Sequence, residues 1–210
     1  MAIAFDSAVD GGNGANTLTF SFTNTAGNIV FVGAIATGDL VTAVSYGGSS
    51  TTLVGKITTG GLTRYLFVQT SPATGANNVV ITSTAGYLAG GAVSYSGAST
   101  SGQPDNSATN SVTNGGPTVT TTLTTVADNC WTVIYFGSSS STLTAGTGTT
   151  RRTADDFGHA GLFDSNAAIT PAGSSSLVVT MSGFDTANAI MASFAPPAAA
   201  GDTLLGQAVC

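Results

Sequence analysis

The second half of this chain repeats the first, and any fold has to accommodate the same pattern twice. Thr17–Gly33 aligns with the stretch from Thr118 onward at a shift of about 101 residues, so that Asn28-Ile29-Val30 meets Asn129-Cys130-Trp131. Gly75-Ala76-Asn77-Asn78-Val79-Val80-Ile81-Thr82 matches Gly173-Ser174-Ser175-Ser176-Leu177-Val178-Val179-Thr180, and Ala92-Val93-Ser94-Tyr95 matches Met191-Ala192-Ser193-Phe194. The shift drifts by only two or three residues along the way, as loop insertions produce.

The repeated unit is made of strands. Thr17–Thr23 alternates apolar and polar residues, which is the period of a half-buried strand. Short runs follow at Ile29–Ala36, Val41–Tyr46, Thr52–Thr58, Leu62–Gln69, Asn78–Thr84 and Gly90–Ser96, separated by turn residues such as Gly47-Gly48 and Gly60-Gly61. No window carries a capped helical stripe. The pattern predicts an all-β protein, an antiparallel β-sandwich of jelly-roll or immunoglobulin-like type with about seven strands per repeat. Residues 1–97 form the first repeat with an N-terminal strand, 98–116 a polar linker or crossover, 117–197 the second repeat and 198–210 a C-terminal arm. The repeats form either tandem sandwiches or one compact sandwich closed by pairing Ala2–Phe5 with the C-terminal strand. The small number of large apolar residues in each half favours the compact form.

Charge is scarce, and its absence excludes several functions. Charged residues are 7% of the chain, against roughly 25% in an ordinary soluble protein. All ten acidic residues are Asp, which suits turns, and Glu, which suits helices, is missing. Lys56, Arg64, Arg151 and Arg152 are the only basic residues and are too scattered for the cationic face that nucleic acid requires. No apolar run approaches the ~20 residues of a membrane span. The opening Met1–Asp6 lacks the basic and apolar regions of a signal peptide. Thr, Ser, Gly and Asn replace charge, a composition suited to surfaces that meet an exterior or other subunits.

The candidate chemistry is thin, and no enzyme is expected. His159, the one histidine, follows Asp155 and Asp156, but no nucleophile motif accompanies them and the stretch is expected to be a solvated loop. Paired glycosidase carboxylates are absent, and no cofactor is expected. Asp6, Asp10 and Asn13 offer hard oxygen ligands in a Gly-rich stretch that calcium would accept, although the spacing is not that of an EF-hand and a capped turn explains it equally well. Trp131 belongs to a core strand, while Tyr46, Tyr65, Tyr87 and Tyr95 lie on or beside strands, where some could face outward. Cys130 is expected to be a buried small hydrophobe, and Cys210 ends the chain. Thr-rich strands with a single Lys to guard their edges suit self-assembly by edge pairing.

Met1–Asp6, Val44-Ser45-Tyr46-Gly47-Gly48 followed by Thr52-Leu53-Val54-Gly55, Pro72–Val80, Gly91–Gly97, Leu143–Gly148 and Ala189–Phe194 resemble segments of Gly/Thr-rich jelly-roll β-sandwich proteins of tailed bacteriophages. The resemblance covers nearly the whole chain, and its motifs are structural. It implies a virion decoration, fibre or adhesion protein, assembled in the host cytoplasm and exposed after lysis. The implied partners are further copies of itself and other virion proteins, with host surface glycans as the alternative for a lectin-like module.

Overall fold

The computed structural model describes residues 1–84 and 86–198. Seventeen strands and one short 3-10 turn, Asp156–Gly158, make up its regular structure, with no α-helix among the described residues. The first half contains β1 (Ala4–Gly14), β2 (Thr17–Asn24), β3 (Ile29–Thr37), β4 (Val41–Tyr46), β5 (Ser49–Ser50), β6 (Thr52–Thr59), β7 (Leu62–Thr70), β8 (Gly75–Ser83) and β9 (Leu88–Ser96). The second contains β10 (Asn106–Gly115), β11 (Thr118–Thr124), β12 (Trp131–Ser138), β13 (Leu143–Ala145), β14 (Thr150–Arg151), β15 (Ala160–Asp164), β16 (Ser174–Met181) and β17 (Asp185–Phe194).

Each half is a jelly roll. The inner sheet of the first half runs β1-β9-β3-β7-β6 and its outer sheet β2-β8-β4-β5. The second half repeats the order, β10-β17-β12-β15-β14 inside and β11-β16-β13 outside. In both halves the last strand lies beside the first, and successive strands cross between sheets, which is how a jelly roll is wound. The two inner sheets then pack face to face, giving four layers and three cores. This stacking explains why β3 and β12 are buried on both faces along almost their whole length. Their sequences read as unbroken apolar runs because each is the centre of a middle layer.

The core between the halves is densely aromatic. Tyr95 and Phe194, matched in the sequence repeat, meet across it with ring centroids 4.7 Å apart. Phe31 packs on Phe194 at 5.3 Å and Trp131 on Tyr95 at 5.9 Å. Tilted and edge-on pairs of this kind add about 0.5–1.5 kcal/mol each beyond simple burial. β7 lies against β12 and β17, and reciprocally β15 lies against β3 and β9, so the halves are related by an approximate two-fold axis. Both halves point the same way, with residues 38–40, 60–61, 139–142, 156–159 and 182–184 gathered at one end, where Gly38 N–H donates to Gly61 O, Ser138 N–H to His159 O and Ser182 N–H to Thr142 O. The chain start and residues 97–105, 125–130, 165–173 and 195–198 lie at the other.

Three local features depart from the sequence expectation. Residues 106–115, expected within a linker or crossover, form the edge strand β10 paired with β17. Residues 6–14, expected as a loop, continue β1, with bulges between Phe5 and Ser7 and between Asp10 and Asn13. Neither strand shows apolar alternation because each lies at a sheet edge and uses polar side chains there. Asn106 and Asn110 Nδ2 donate to the carbonyls of Thr124 (2.8 Å) and Thr120 (3.1 Å), and Ser7 Oγ donates to Thr23 O (2.5 Å). Third, Ile29 pairs with Tyr95 and Trp131 with Phe194, so Trp131 corresponds to Ile29 and not to Val30. One extra residue in the second half's preceding turn shifts the match by one, which would otherwise have placed Trp131 on the wrong face.

Candidate functional site

The chemistry-bearing side chains gather where the two halves meet, and glycines make room for them. Gly33 and Gly91 are cross-strand partners on the inner sheet of the first half. The ring of Tyr135 lies directly over Gly33, where an added Cβ would stand 2.1 Å from Cδ2. The Asp155 carboxyl lies over Gly91, with Oδ1 2.4 Å from the same kind of added atom. The first half returns the arrangement by laying Arg64 over Gly137, and Arg64 Nη2 donates to Ser138 O at 2.6 Å. With its amide turned to face Arg64, Asn188 accepts from Nη1 at 3.2 Å and donates to Ser111 Oγ.

This cluster is nearly dry. Arg64 and Tyr135 are fully buried and Asp155 is 1% exposed. Arg64 Nε, the Tyr135 hydroxyl and Asp155 Oδ1 have no hydrogen-bond partner. Burial pushes the Asp155 carboxyl up to about 8, against the pull of the Thr153 hydroxyl, which donates to Oδ2 at 3.1 Å. Burial likewise holds the Tyr135 hydroxyl well above 10. At neutral pH the pair is therefore an uncharged acid beside an uncharged phenol, a poor base and a poor nucleophile. Asp155, expected in a solvated loop, is instead the anchor of the 152–159 segment, which the Asp155 carbonyl also closes by accepting from Gly158 and Ala160 N–H. Removing the unpartnered hydroxyl should help the fold. Tyr135→Phe is expected to raise unfolding stability by about 1 kcal/mol in chemical denaturation.

A second network crosses the junction nearby. Asp164, fully buried, accepts from Arg152 Nε at 2.7 Å and Nη2 at 3.1 Å and from the Tyr95 hydroxyl at 2.8 Å. The Arg152 guanidinium stacks 3.9 Å above the Phe5 ring. Arg151 donates to the carbonyls of Thr153, Leu143, Gly158 and Ala160. Lys56 pairs with Asp39 on the surface. The three arginines are thus committed within the molecule.

The remaining sequence candidates take separate structural partners. Asp6 accepts from Thr25 N–H (3.0 Å), Ala26 N–H (3.1 Å) and Ser94 Oγ (2.6 Å), tying down the β2–β3 turn. Asp10 accepts from Ala154 N–H at 2.7 Å across the junction, four residues and on the order of 13 Å along β1. Asn13 bonds the Tyr87 hydroxyl, which also donates to Asp156. Among the described residues no three His, Cys, Asp or Glu side chains stand close enough together to hold a metal. Asp156 and His159 belong to the same tight turn, in which His159 N–H donates to Asp156 O at 3.0 Å. Tyr46, Tyr65 and Tyr95 are buried, Tyr87 is half-buried and Trp131 packs in the junction core. Cys130 is buried, its thiol pushed up to about 12 by burial, whereas Cys210 and the arm beyond residue 198 lie outside the described residues. The glycine-lined cluster has only a faint signal in the sequence, namely glycines inside apolar strands, where close approach of another group is one of the few reasons for them.

No described helix is long and apolar enough to cross a membrane. No family model matches the chain, and no curated protein matches it. Among solved structures, the chain is similar to one described as the crystal structure of the major capsid protein P2 from Bacteriophage PM2. That likeness has a TM-score of 0.24 and 9% identity and covers 91% of this chain and 94% of that one.

Proposed function

We propose that this protein is a non-enzymatic structural component of a bacteriophage particle, decorating the capsid or tail by docking and self-association. The observation that carries the proposal is the use to which charge is put. Buried acids and arginines lock two jelly rolls together, and the outer sheets present hydroxyls. Thr17, Thr19, Ser21 and Thr23 on β2 are exposed, as are Thr118, Thr120, Thr122 and Thr124 on β11. A block whose strands β2 and β11 present hydroxyls outward, with Arg64, Asp155 and Asp164 buried where its halves meet, is built for position. Jelly rolls serve viral capsids and lectins alike, so the fold supports the assignment by analogy only. Immunogold labelling of intact particles tests the proposal. Label on the exterior of unopened particles is expected, and label confined to the particle-free lysate would refute it.

A further inference from the structure

The two inner sheets face each other around the two-fold axis, and residues on that axis meet their own counterparts. Ile29 corresponds to Trp131 through the matching partners Tyr95 and Phe194, so Gly33, further along β3, corresponds to Tyr135 on β12. Gly33 and Tyr135 are in contact, as are Tyr95 and Phe194. One contact joins β3 to β12 and the other β9 to β17, neighbouring strands in each sheet, so the axis runs along the strands through the middle of the junction. This is the geometry of an isologous dimer, in which a surface pairs with another of the same design.

Every sheet is built from strands of one half only, each half keeps a core of its own, and residues 97–105 form the chain connection between them. An inner face of this kind is free, by its architecture, to meet the inner face of a like half from another chain. Two contacts stand against that. The Tyr135 ring fills the space over Gly33, where an added Cβ would stand 2.1 Å from Cδ2. In a pair of second halves the residue under each ring would be Tyr135 itself, whose Cβ would occupy that clash. The second contact is Arg64 over Gly137, where an added Cβ would stand 2.7 Å from Nε. Gly137 corresponds to Ile35, and Arg64, the cross-strand partner of Ile35, corresponds to Ala160, the partner of Gly137. In a pair of first halves each arginine would come down on an isoleucine, and Gly33 would face Gly33 across the space that the ring now fills. Each half thus carries one projection and one recess, and only unlike halves satisfy both.

We infer that the junction is a pairing surface with its own selectivity, in which Tyr135 over Gly33 and Arg64 over Gly137 commit each first half to a second half and bar it from a copy of itself. The inference does not depend on the particle role proposed above. Its consequence for any assembly is that neighbouring chains are kept from joining through like halves.

The full chain, carrying a protease site at Thr100–Gly102, an exposed stretch of the connection, tests this. The protein is folded, cut, unfolded in denaturant and refolded, and the pairs are counted by native mass spectrometry. Unlike pairs are expected to outnumber like pairs by about tenfold or more, the factor that one overpacked core contact supplies. Tyr135→Gly is expected to admit pairs of second halves. Ile35→Gly, which opens a recess beneath the arginine, is expected to admit pairs of first halves. Each variant should raise its own like pair by about tenfold and leave the other unchanged, a pattern that general destabilisation does not produce. Tyr135→Phe keeps the ring and should alter no proportion, and Ile35→Gly carries the test alone where Tyr135→Gly does not refold. Cut halves that do not pair again, like pairs as frequent as unlike pairs in the wild type, or proportions indifferent to the glycine variants would overturn the inference.

Discussion

Placing a single methyl group at position 33 is expected to destabilise the protein by about 3 kcal/mol or more. Gly33→Ala would ordinarily be harmless or helpful within a strand, where alanine outperforms glycine by about 0.5–1 kcal/mol. The sign reverses here because the new atom would stand 2.1 Å from Cδ2 and 2.3 Å from Cε2 of Tyr135. The ring cannot retreat, being fully buried between the inner sheets. Tyr135→Leu alone leaves a void and should cost about 2–4 kcal/mol on the scale of large-to-small core substitutions. Combined, the two changes should cost about 2 kcal/mol less than their sum, as expected for residues in direct contact. Denaturant unfolding of the two single variants and the double variant measures the coupling. Strict additivity would show that the ring and the glycine do not meet.

The second large effect is expected in the dependence of stability on pH. Asp155 has a folded-state pKa raised from 3.8 to about 8, with burial the principal cause. Its favourable contribution is therefore complete below about pH 3.8 and is lost as the pH rises toward 8, because only the unfolded chain ionises freely across that window. The slope approaches about 1.4 kcal/mol per pH unit where the two states differ by a whole proton. The groups facing Asp155 are Thr153, Asp10, Arg151, Asp156 and Tyr135, and only the Thr153 hydroxyl and Arg151 among them favour an ionised form. Asp164 is also raised, by burial above all, and contributes a slope of the same sign. The difference between wild type and Asp155→Asn isolates the single group. The variant should be no more stable than wild type near pH 4 and should exceed it near pH 8.5, as followed by thermal unfolding. Parallel curves across this range would contradict the burial of a neutral acid at the junction.

Where strands carry an apolar pattern, the fold is legible in the sequence. The expected segments Thr17–Thr23, Ile29–Ala36, Val41–Tyr46 and Leu62–Gln69 coincide with β2, β3, β4 and β7 within a residue at either end. The unbroken apolar character of Ile29–Ala36 also records burial on both faces, which a lone two-layer sandwich does not provide. Of the edge strands, β10 is not legible and β1 only at its start, where a strand over Ala2–Phe5 is expected but pairs with β9 and not with the C-terminal strand; the neighbours of both require hydrogen-bonding side chains and their outer faces require nothing apolar. Nor is the junction legible at the level of side chains. Which glycine receives which ring depends on the approach of two sheets far apart in sequence, so Asp155 in Thr-Ala-Asp-Asp-Phe-Gly-His has the local appearance of a solvated turn. Its burial is a tertiary fact. The same holds for a groove of about 610 Å³ that combines the chain start, Trp131 and Pro196-Pro197, three stretches that the sequence gives no reason to associate.

Quantitative mass spectrometry of gradient-purified particles, from cultures that produce the protein, tests the structural role most directly. The chain should sediment with intact particles at a fixed copy number relative to the other virion proteins, unchanged by salt washes that strip adsorbed protein. A chain found only in the soluble fraction, or on particles at a copy number that drifts toward zero with washing, would contradict a structural role in the particle.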